Sequence, residues 1–114
     1  MQTLRQSADF ERVRRDGRSW AHPSMILAAH PNQLPFNRYG LVVSRRVGSA
    51  VVRNRIRRLL RESLRGLHPK LATGRDIIII ARPAIAGQPF ATVQATLEHL
   101  LRRARLVTPP EALS

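Results

Sequence analysis

Residues 38–66 read RYGLVVSRRVGSAVVRNRIRRLLRESLRG. From Ser49 onward the spacing of this segment predicts a helix, because apolar residues recur every three or four positions and form one stripe. The stripe consists of Val52, Ile56, Leu59, Leu60, Ser63, Leu64 and Leu67. We expect it to face the core. Val47–Ser49 should form a turn that starts the helix with Ser49 as N-cap, and the helix should end near Gly66.

The opposite side of this helix carries most of the charge. The segment holds nine arginines and one acid, Glu62. A solvated helix face normally mixes both signs for i,i+4 pairing, whereas the arginines here repeat at i,i+4 and repel one another. The pattern therefore favours a face that binds a polyanion. The candidate RNA-binding residues are Arg45, Arg46, Arg53, Asn54, Arg55, Arg57, Arg58, Arg61 and Arg65, with Arg53 and Arg55 on the flanks of the face.

The composition agrees with a polyanionic partner. The chain has 114 residues and a net charge of +13, and Lys70 is its single lysine. Arginine favours bidentate contacts with phosphate. A membrane-surface helix is the second interpretation; it is disfavoured because the apolar stripe has no Trp or Phe and the core needs it. No helix-turn-helix spacing is evident, so we expect no DNA partner, and few aromatics favour backbone and shape recognition of a folded RNA.

The rest of the chain predicts a single α+β domain over residues 1–114 with the order α-β-β-α-β-α. We expect one sheet packed by helices, a hairpin connection through residues 31–37 and a loose tail from about residue 108. Ser7 is predicted to cap the first helix, and the β-branched run Asp76–Ala81 to be a strand buried on both faces. The remaining predicted elements are an interrupted extended stretch over Arg18–Ala21 and Met25–His30, a strand over Arg38–Ser44 and a last helix from about Ala91 to Leu106.

The chain shows no catalytic pattern of its own. It has no cysteine, and its four histidines lack metal-ligand spacing, so we predict neither catalytic nor metal-ligating residues. A site assembled only by folding stays open as an alternative. No signal peptide is evident, and the longest apolar stretch, Ile77–Ala81, is too short to cross a membrane. We expect a cytoplasmic location.

Residues 40–62, GLVVSRRVGSAVVRNRIRRLLRE, resemble the signature of the protein subunit of bacterial ribonuclease P. The family pattern is V-S-[KR]-[KR]-x-G-x-A-V-x-R-N-R-x-[KR]-R, and every fixed position is met. The resemblance extends to Asp9, Phe10, Val13 and Gly17 of the first helix, to the strand Asp76–Arg82 and to the last helix. It therefore covers about Ser7 to Leu106.

The resemblance implies a fold, a partner and an activity. The fold is an α-β sandwich with an uncommon left-handed β-α-β crossover through the basic helix. The partners are a large catalytic RNA and precursor tRNA. The holoenzyme is an endoribonuclease that hydrolyses a phosphodiester to release the 5′ leader, and the RNA holds the catalytic Mg²⁺ ions, with none bound tightly by the protein alone. Arg53-Asn54-Arg55 and the following arginines would contact the RNA subunit or metal-rich regions beside it.

The resemblance also implies a cleft for the single-stranded leader between the sheet and the first and last helices. Its residues in this chain would be Phe10, Arg14, Ile26 and Ala28. Family members often carry a second aromatic residue where this chain has Arg14, and others an aromatic where it has Ile26–Ala29. Base stacking should therefore be weaker here, with Arg14 stacking on a base or binding phosphate instead.

Two other functions remain open from the residues. One is a structural RNA-binding protein of the ribosomal type, which would never promote cleavage. The other is a stand-alone basic ribonuclease, which would cleave RNA without any RNA partner.

Overall fold

The computed structural model describes residues 1–108. The predicted tail beyond Thr108 lies outside this range. The helices and strands are β1 (Gln2–Thr3), α1 (Ser7–Asp16), β2 (Arg18–His22), β3 (Met25–Pro31), β4 (Arg38–Val42), α2 (Ala50–Leu67), β5 (Arg75–Ala81) and α3 (Phe90–Arg103). Short 3-10 turns occupy residues 45–47, 68–70 and 83–85.

The five strands form one mixed sheet in the order β1-β4-β5-β3-β2. β5 is central, parallel to β4 and antiparallel to β3. Its residues Ile77, Ile78 and Ile79 have no exposed surface, which confirms the prediction of a strand buried on both faces. The parallel pair β4 and β5 is joined through α2, so the β-α-β unit is present. The left hand of this crossover stays a prediction of the resemblance.

The helices cover the two sheet faces unequally. Side chains alternate along each strand, so odd-numbered residues of β3, β4 and β5 meet α2 and α3 in the larger core. Even-numbered residues face α1, where the smaller cluster consists of Leu4, Val13, Ala28 and Ile78. α1 and the preceding Leu4 cover this second face only in part, and Ile26, Val42 and Ile80 remain half-buried there. The α+β class with helices packed on one sheet is confirmed.

The predicted hairpin between β3 and β4 is wrong, because β5 lies between them. The turn-forming residues of this connection hold the start of β5 instead. Asn32 Nδ2 donates to Asp76 Oδ1 at 2.9 Å, and Asn37 Oδ1 accepts from Arg75 N at 2.8 Å. The interrupted extended stretch before it is itself the hairpin, β2 and β3, and the two-residue strand β1 was not predicted.

The three helices match their predicted positions closely. Ser49 Oγ accepts from Val52 N at 3.4 Å, which confirms this N-cap, and α2 runs one residue past Gly66. α3 buries Val93, Leu97, Leu100 and Leu101 but ends at Arg103, three residues before the predicted end. The predicted cap of α1 is wrong. Ser7 is already the first helical residue, and Gln6 occupies the N-cap position without a side-chain hydrogen bond.

Candidate RNA interface

The outer face of α2 is a row of largely exposed arginines, and most of the apolar stripe on its other side is buried. Ile56, Leu60 and Leu64 have at most 1% exposed surface. Because a helix that buries one side must present the other to solvent, the polar residues point outward. Asn54, Arg55, Arg58, Arg61 and Arg65 are exposed, and Arg53 and Arg57 are half-buried. The predicted separation of the two faces is confirmed, whereas contact of these residues with RNA stays a prediction.

The arginines of α2 are barely neutralised by the protein. Within residues 1–108 the one carboxylate paired with them is that of Glu62, on Arg65. Arg57 Nη1 donates to Asn54 Oδ1 at 2.9 Å, and Arg55 Nη2 donates to the carbonyl oxygen of Gln88 at 3.2 Å. These two bonds hold side chains in place and leave the positive charge uncompensated. We call residues 53–65 of this outer face, with Arg45 and Arg46, the arginine face.

Arg45 and Arg46 are exposed in the 3-10 turn that immediately precedes α2. Gly48 links the turn to the helix with φ of +155°, a conformation that favours glycine. A Cβ at Gly48 would lie 2.8 Å from Cγ1 of Val52. The glycine therefore lets the turn pack tightly on the first turn of α2, which brings both arginines to the start of the basic helix.

A groove of about 640 Å³ runs between β1 and the later turns of α2, and we call it the edge groove. Arg57, Arg61 and Arg65 line one wall, and Leu4 and Phe10 line the opposite side. At its end the Tyr39 hydroxyl and Nδ1 of His68 are hydrogen-bonded at 2.7 Å. Burial raises the pKa of Tyr39 above its ordinary value. A row of cations beside an apolar surface suits phosphates with an adjoining unpaired base.

A second, smaller groove of about 180 Å³ lies between α1 and the open part of the sheet. Three of the four residues predicted for a leader cleft line it, namely Arg14, Ile26 and Ala28. Val13 and Ile80 complete the apolar part of its lining. We call this surface the leader groove. It combines the exposed guanidinium groups of Arg14 and Arg18 with aliphatic side chains and has no aromatic residue in its lining.

Phe10, the fourth predicted residue, does not line the leader groove. Its ring lies one turn earlier along α1, against β4, where it borders the edge groove. Gly40 makes this position possible, because a Cβ there would lie 2.6 Å from Cζ of Phe10. The half-buried ring thus separates the two grooves and packs with the smaller core cluster.

Sequence reasoning missed several groove residues, for a physical reason. Ile80 joins the leader groove because β3 and β5 pair with Ile26 opposite Ile80. Tyr39 and His68 meet across 29 positions of the chain. The pairing of Ile26 with Ile80 and the contact of Tyr39 with His68 depend on strand order and register, and the spacing of residues along the sequence does not reveal either. The one available signal was the alternation of β5, which places Ile78 and Ile80 on a common face.

The acids in the middle of the molecule are engaged in structural ion pairs. Arg38 donates to both carboxylate oxygens of Asp76, at 2.8 and 2.7 Å, and lies 3.6 Å from Asp9. The hydrogen bond to Asp76 is the main cause that raises the pKa of Arg38. Within residues 1–108 no three His, Asp or Glu side chains gather as a metal site would require. No helix in this part of the chain combines the length and the apolar character needed to cross a membrane.

Comparisons with known proteins agree with this geometry. The family model described as Ribonuclease P matches residues 1–105. The "Ribonuclease P protein component" of Roseiflexus castenholzii is 48% identical over 105 residues, which cover 91% of this chain and 86% of the relative. The protein of the same name from Alkaliphilus metalliredigens is 38% identical, covering 92% of this chain and 95% of its own.

Solved structures give the same result. The RNase P protein of Staphylococcus aureus superimposes with a TM-score of 0.87 at 30% identity, covering 95% of this chain and 99% of that one. The RNase P protein from Thermotoga maritima gives a TM-score of 0.82 at 30% identity, covering 90% and 97%. Family model, relatives and fold therefore coincide over nearly the whole described chain, and the chain belongs to the family of ribonuclease P protein components.

Proposed function

We propose that this chain binds the catalytic RNA of a bacterial ribonuclease P and the 5′ leader of precursor tRNA, and so assists removal of the leader. The arginine face carries the proposal. It presents nine candidate RNA-binding residues with one carboxylate paired to them in the described range. Such a face is unfavourable in isolation, and phosphates of a folded RNA neutralise it.

In this proposal the arginine face and the leader groove bind different RNAs. The arginine face and the edge groove hold the catalytic RNA through its phosphates, with no reading of base edges required. The leader groove holds the single strand near the cut. Arg14 binds a phosphate or stacks on a base, and Ile26 and Ile80 contact the base faces. Holding both RNAs on one rigid sheet lowers the entropic cost of bringing the scissile bond to the catalytic RNA.

Within residues 1–108 no three His, Asp or Glu side chains lie together, so this part of the chain does not fit a Mg²⁺ site. Mg²⁺ requires oxygen ligands, usually carboxylates with phosphates, and Asp9 and Asp76 are both held by Arg38. In our proposal the ions are therefore held by the RNA, which supplies the metal-dependent hydrolysis. The protein contributes positioning and positive charge, which offset the repulsion between two polyanions.

The experiment is a reconstitution of precursor-tRNA cleavage at low Mg²⁺ with the catalytic RNA alone, the RNA with this chain, and this chain alone. We expect correct 5′ processing to be strongly stimulated in the second reaction and absent from the third. RNA binding without stimulation would instead identify a structural RNA-binding protein. Cleavage by the chain alone would identify a protein ribonuclease.

A further inference from the structure

A third cavity lies at the end of the sheet where α1 ends and β2 begins. It measures about 460 Å³, a size that suits one or two nucleotide units. Its lining includes Trp20, Arg18, Arg75 and Arg105. We call it the tryptophan pocket. It lies below the end of α3 and shares no residue with the arginine face.

The charge of the tryptophan pocket is positive and comes from three separate elements. Arg18 begins β2, Arg75 begins β5 and Arg105 follows α3. Within residues 1–108 none of the three has a carboxylate at ion-pair distance. The acid in the lining, Asp16, is bound by Arg15 at 3.1 Å, and this bond lowers the pKa of Asp16. The pocket therefore attracts an anion from several sides.

An aromatic platform accompanies these cations. The guanidinium carbon of Arg18 lies 5.7 Å from the centroid of the Trp20 ring. Trp20 is half-buried and packs against the larger core, so the ring is held in place. A fixed indole beside an arginine plane is the combination on which unpaired bases stack. Phosphate and base together indicate single-stranded nucleic acid as the occupant.

The backbone at Arg105 supports a role for its side chain. Arg105 has φ of +60°, the left-handed conformation, which costs an arginine backbone energy that glycine avoids. A residue that only ended α3 would be better served by glycine. The conformation favours glycine, and the chain nevertheless has here an arginine that lines the pocket.

The tryptophan pocket borders the leader groove at the edge strand β2, and the two lie mainly on opposite faces of the sheet. Gly17 and Arg18 line both cavities. A Cβ at Gly17 would lie 2.6 Å from the carbonyl oxygen of Ala29, so the end of α1 sits directly on β3. The groove and the pocket consequently meet at one tight turn, with Arg18 between the leader groove and Trp20.

We infer that the tryptophan pocket binds the part of a precursor-tRNA leader that extends beyond the leader groove. A base stacks on the Trp20 and Arg18 pair, and Arg75 and Arg105 hold the flanking phosphates. This inference rests on the proposed function and deepens it, because it adds a second contact with the leader at a cavity separate from the leader groove.

The test uses the reconstituted holoenzyme and precursor tRNAs with leaders of about 3 and about 12 nucleotides, within and beyond the reach of one groove. The gain in affinity from the longer leader is measured for the wild type and for the double variant Arg75→Gln/Arg105→Gln. The matched control is Arg102→Gln/Arg103→Gln, which removes the same charge from the last turn of α3. We expect the gain in affinity from the longer leader to be about tenfold smaller for the double variant than for the wild type. The control should show the same gain as the wild type.

A second measurement separates binding from folding. Trp20 is the only tryptophan, so its fluorescence reports the pocket directly. The long leader should change its emission and the short leader should not. Arg105→Gly should keep or raise the melting temperature, because glycine relieves the backbone, and should weaken the fluorescence-detected binding.

The outcomes distinguish the two proposals. If the protein raises affinity for precursor tRNA but the gain from a long leader is absent, or is retained by Arg75→Gln/Arg105→Gln, the pocket inference is overturned and the proposed function stands. Unchanged Trp20 emission in a saturated long-leader complex would likewise overturn the pocket inference and leave the proposed function standing. If the protein raises affinity for no precursor tRNA, the proposed function fails and the inference fails with it.

Discussion

Arg61 and Ile56 lie five residues apart on α2 and on opposite sides of it. Arg61 is exposed, and Ile56 has no exposed surface. We predict that Arg61→Ala weakens RNA binding and reduces the slope of log affinity against log salt by about 1. Ile56→Ala should instead lower the free energy of unfolding by about 2–5 kcal/mol, because it leaves a cavity in the core.

Urea unfolding and salt-dependent RNA binding of the two variants check this prediction. Each measurement is the control for the other. An Arg61→Ala protein that melts as early as Ile56→Ala and still binds RNA normally would show that the two faces of α2 are assigned the wrong way round.

Arg38, the first arginine of residues 38–66, stabilises the fold through its ion pair with Asp76. The Asp76 side chain is 2% exposed and receives both bonds of Arg38. We predict that Asp76→Ala costs about 3–5 kcal/mol of stability, because the partly buried guanidinium loses its main counter-charge. Chemical denaturation measures the loss. Asp16→Ala, which breaks an exposed pair with Arg15, is the control and should change stability far less.

The ionisation of Tyr39 can be followed directly by absorbance, since it is the only tyrosine of the chain. Burial raises its pKa, so folding favours the neutral phenol. The stabilisation is complete below the ordinary pKa of about 10 and is lost as the pH rises through the higher pKa of the folded protein. Phenolate absorbance against pH should show a midpoint above that of a tyrosine peptide. A midpoint at the peptide value would contradict the burial of Tyr39.

At the scale of elements, α2 was predictable from the sequence because its signals are local. The cap at Ser49, the apolar spacing and the opposing arginines all lie within one helix. The position of β5 between β3 and β4 was not predictable, since residues 31–37 have turn chemistry that fits a hairpin equally well. The candidate site likewise has one part that could be predicted from the sequence and one part that could not. The arginine face follows from α2 alone, whereas the leader groove depends on the register that sets Ile26 opposite Ile80.

The contact between α1 and β4 can be tested as an element contact. A Cβ on Gly40 would lie 2.6 Å from Cζ of Phe10. We predict that Gly40→Ala costs about 1–3 kcal/mol, because the ring must move out of a packed position. In a Phe10→Ala background the same change should cost much less. A double-mutant cycle on unfolding free energies measures the coupling, and additive values would show that the ring does not pack on Gly40.

At the scale of the whole molecule, the two positively charged surfaces lie on opposite sides of the sheet. α2, which carries the arginine face, packs on the sheet face of the larger core, and the leader groove lies on the opposite face beside α1. The sheet separates the two, with the edge groove passing around β1. In our proposal, a net charge of +13 distributed in this way lets one small domain contact two RNA segments at once. Salt should therefore weaken both contacts together.

The most direct test of the account is precursor-tRNA cleavage by the catalytic RNA at low Mg²⁺ with Arg57→Gln/Arg61→Gln in place of the wild-type chain. Arg102→Gln/Arg103→Gln serves as a charge-matched control. The account predicts that the first variant folds normally and fails to stimulate cleavage, that higher Mg²⁺ restores the reaction, and that the control stimulates as the wild type does. Full stimulation by a folded Arg57→Gln/Arg61→Gln protein would contradict the claim that the arginine face binds the catalytic RNA.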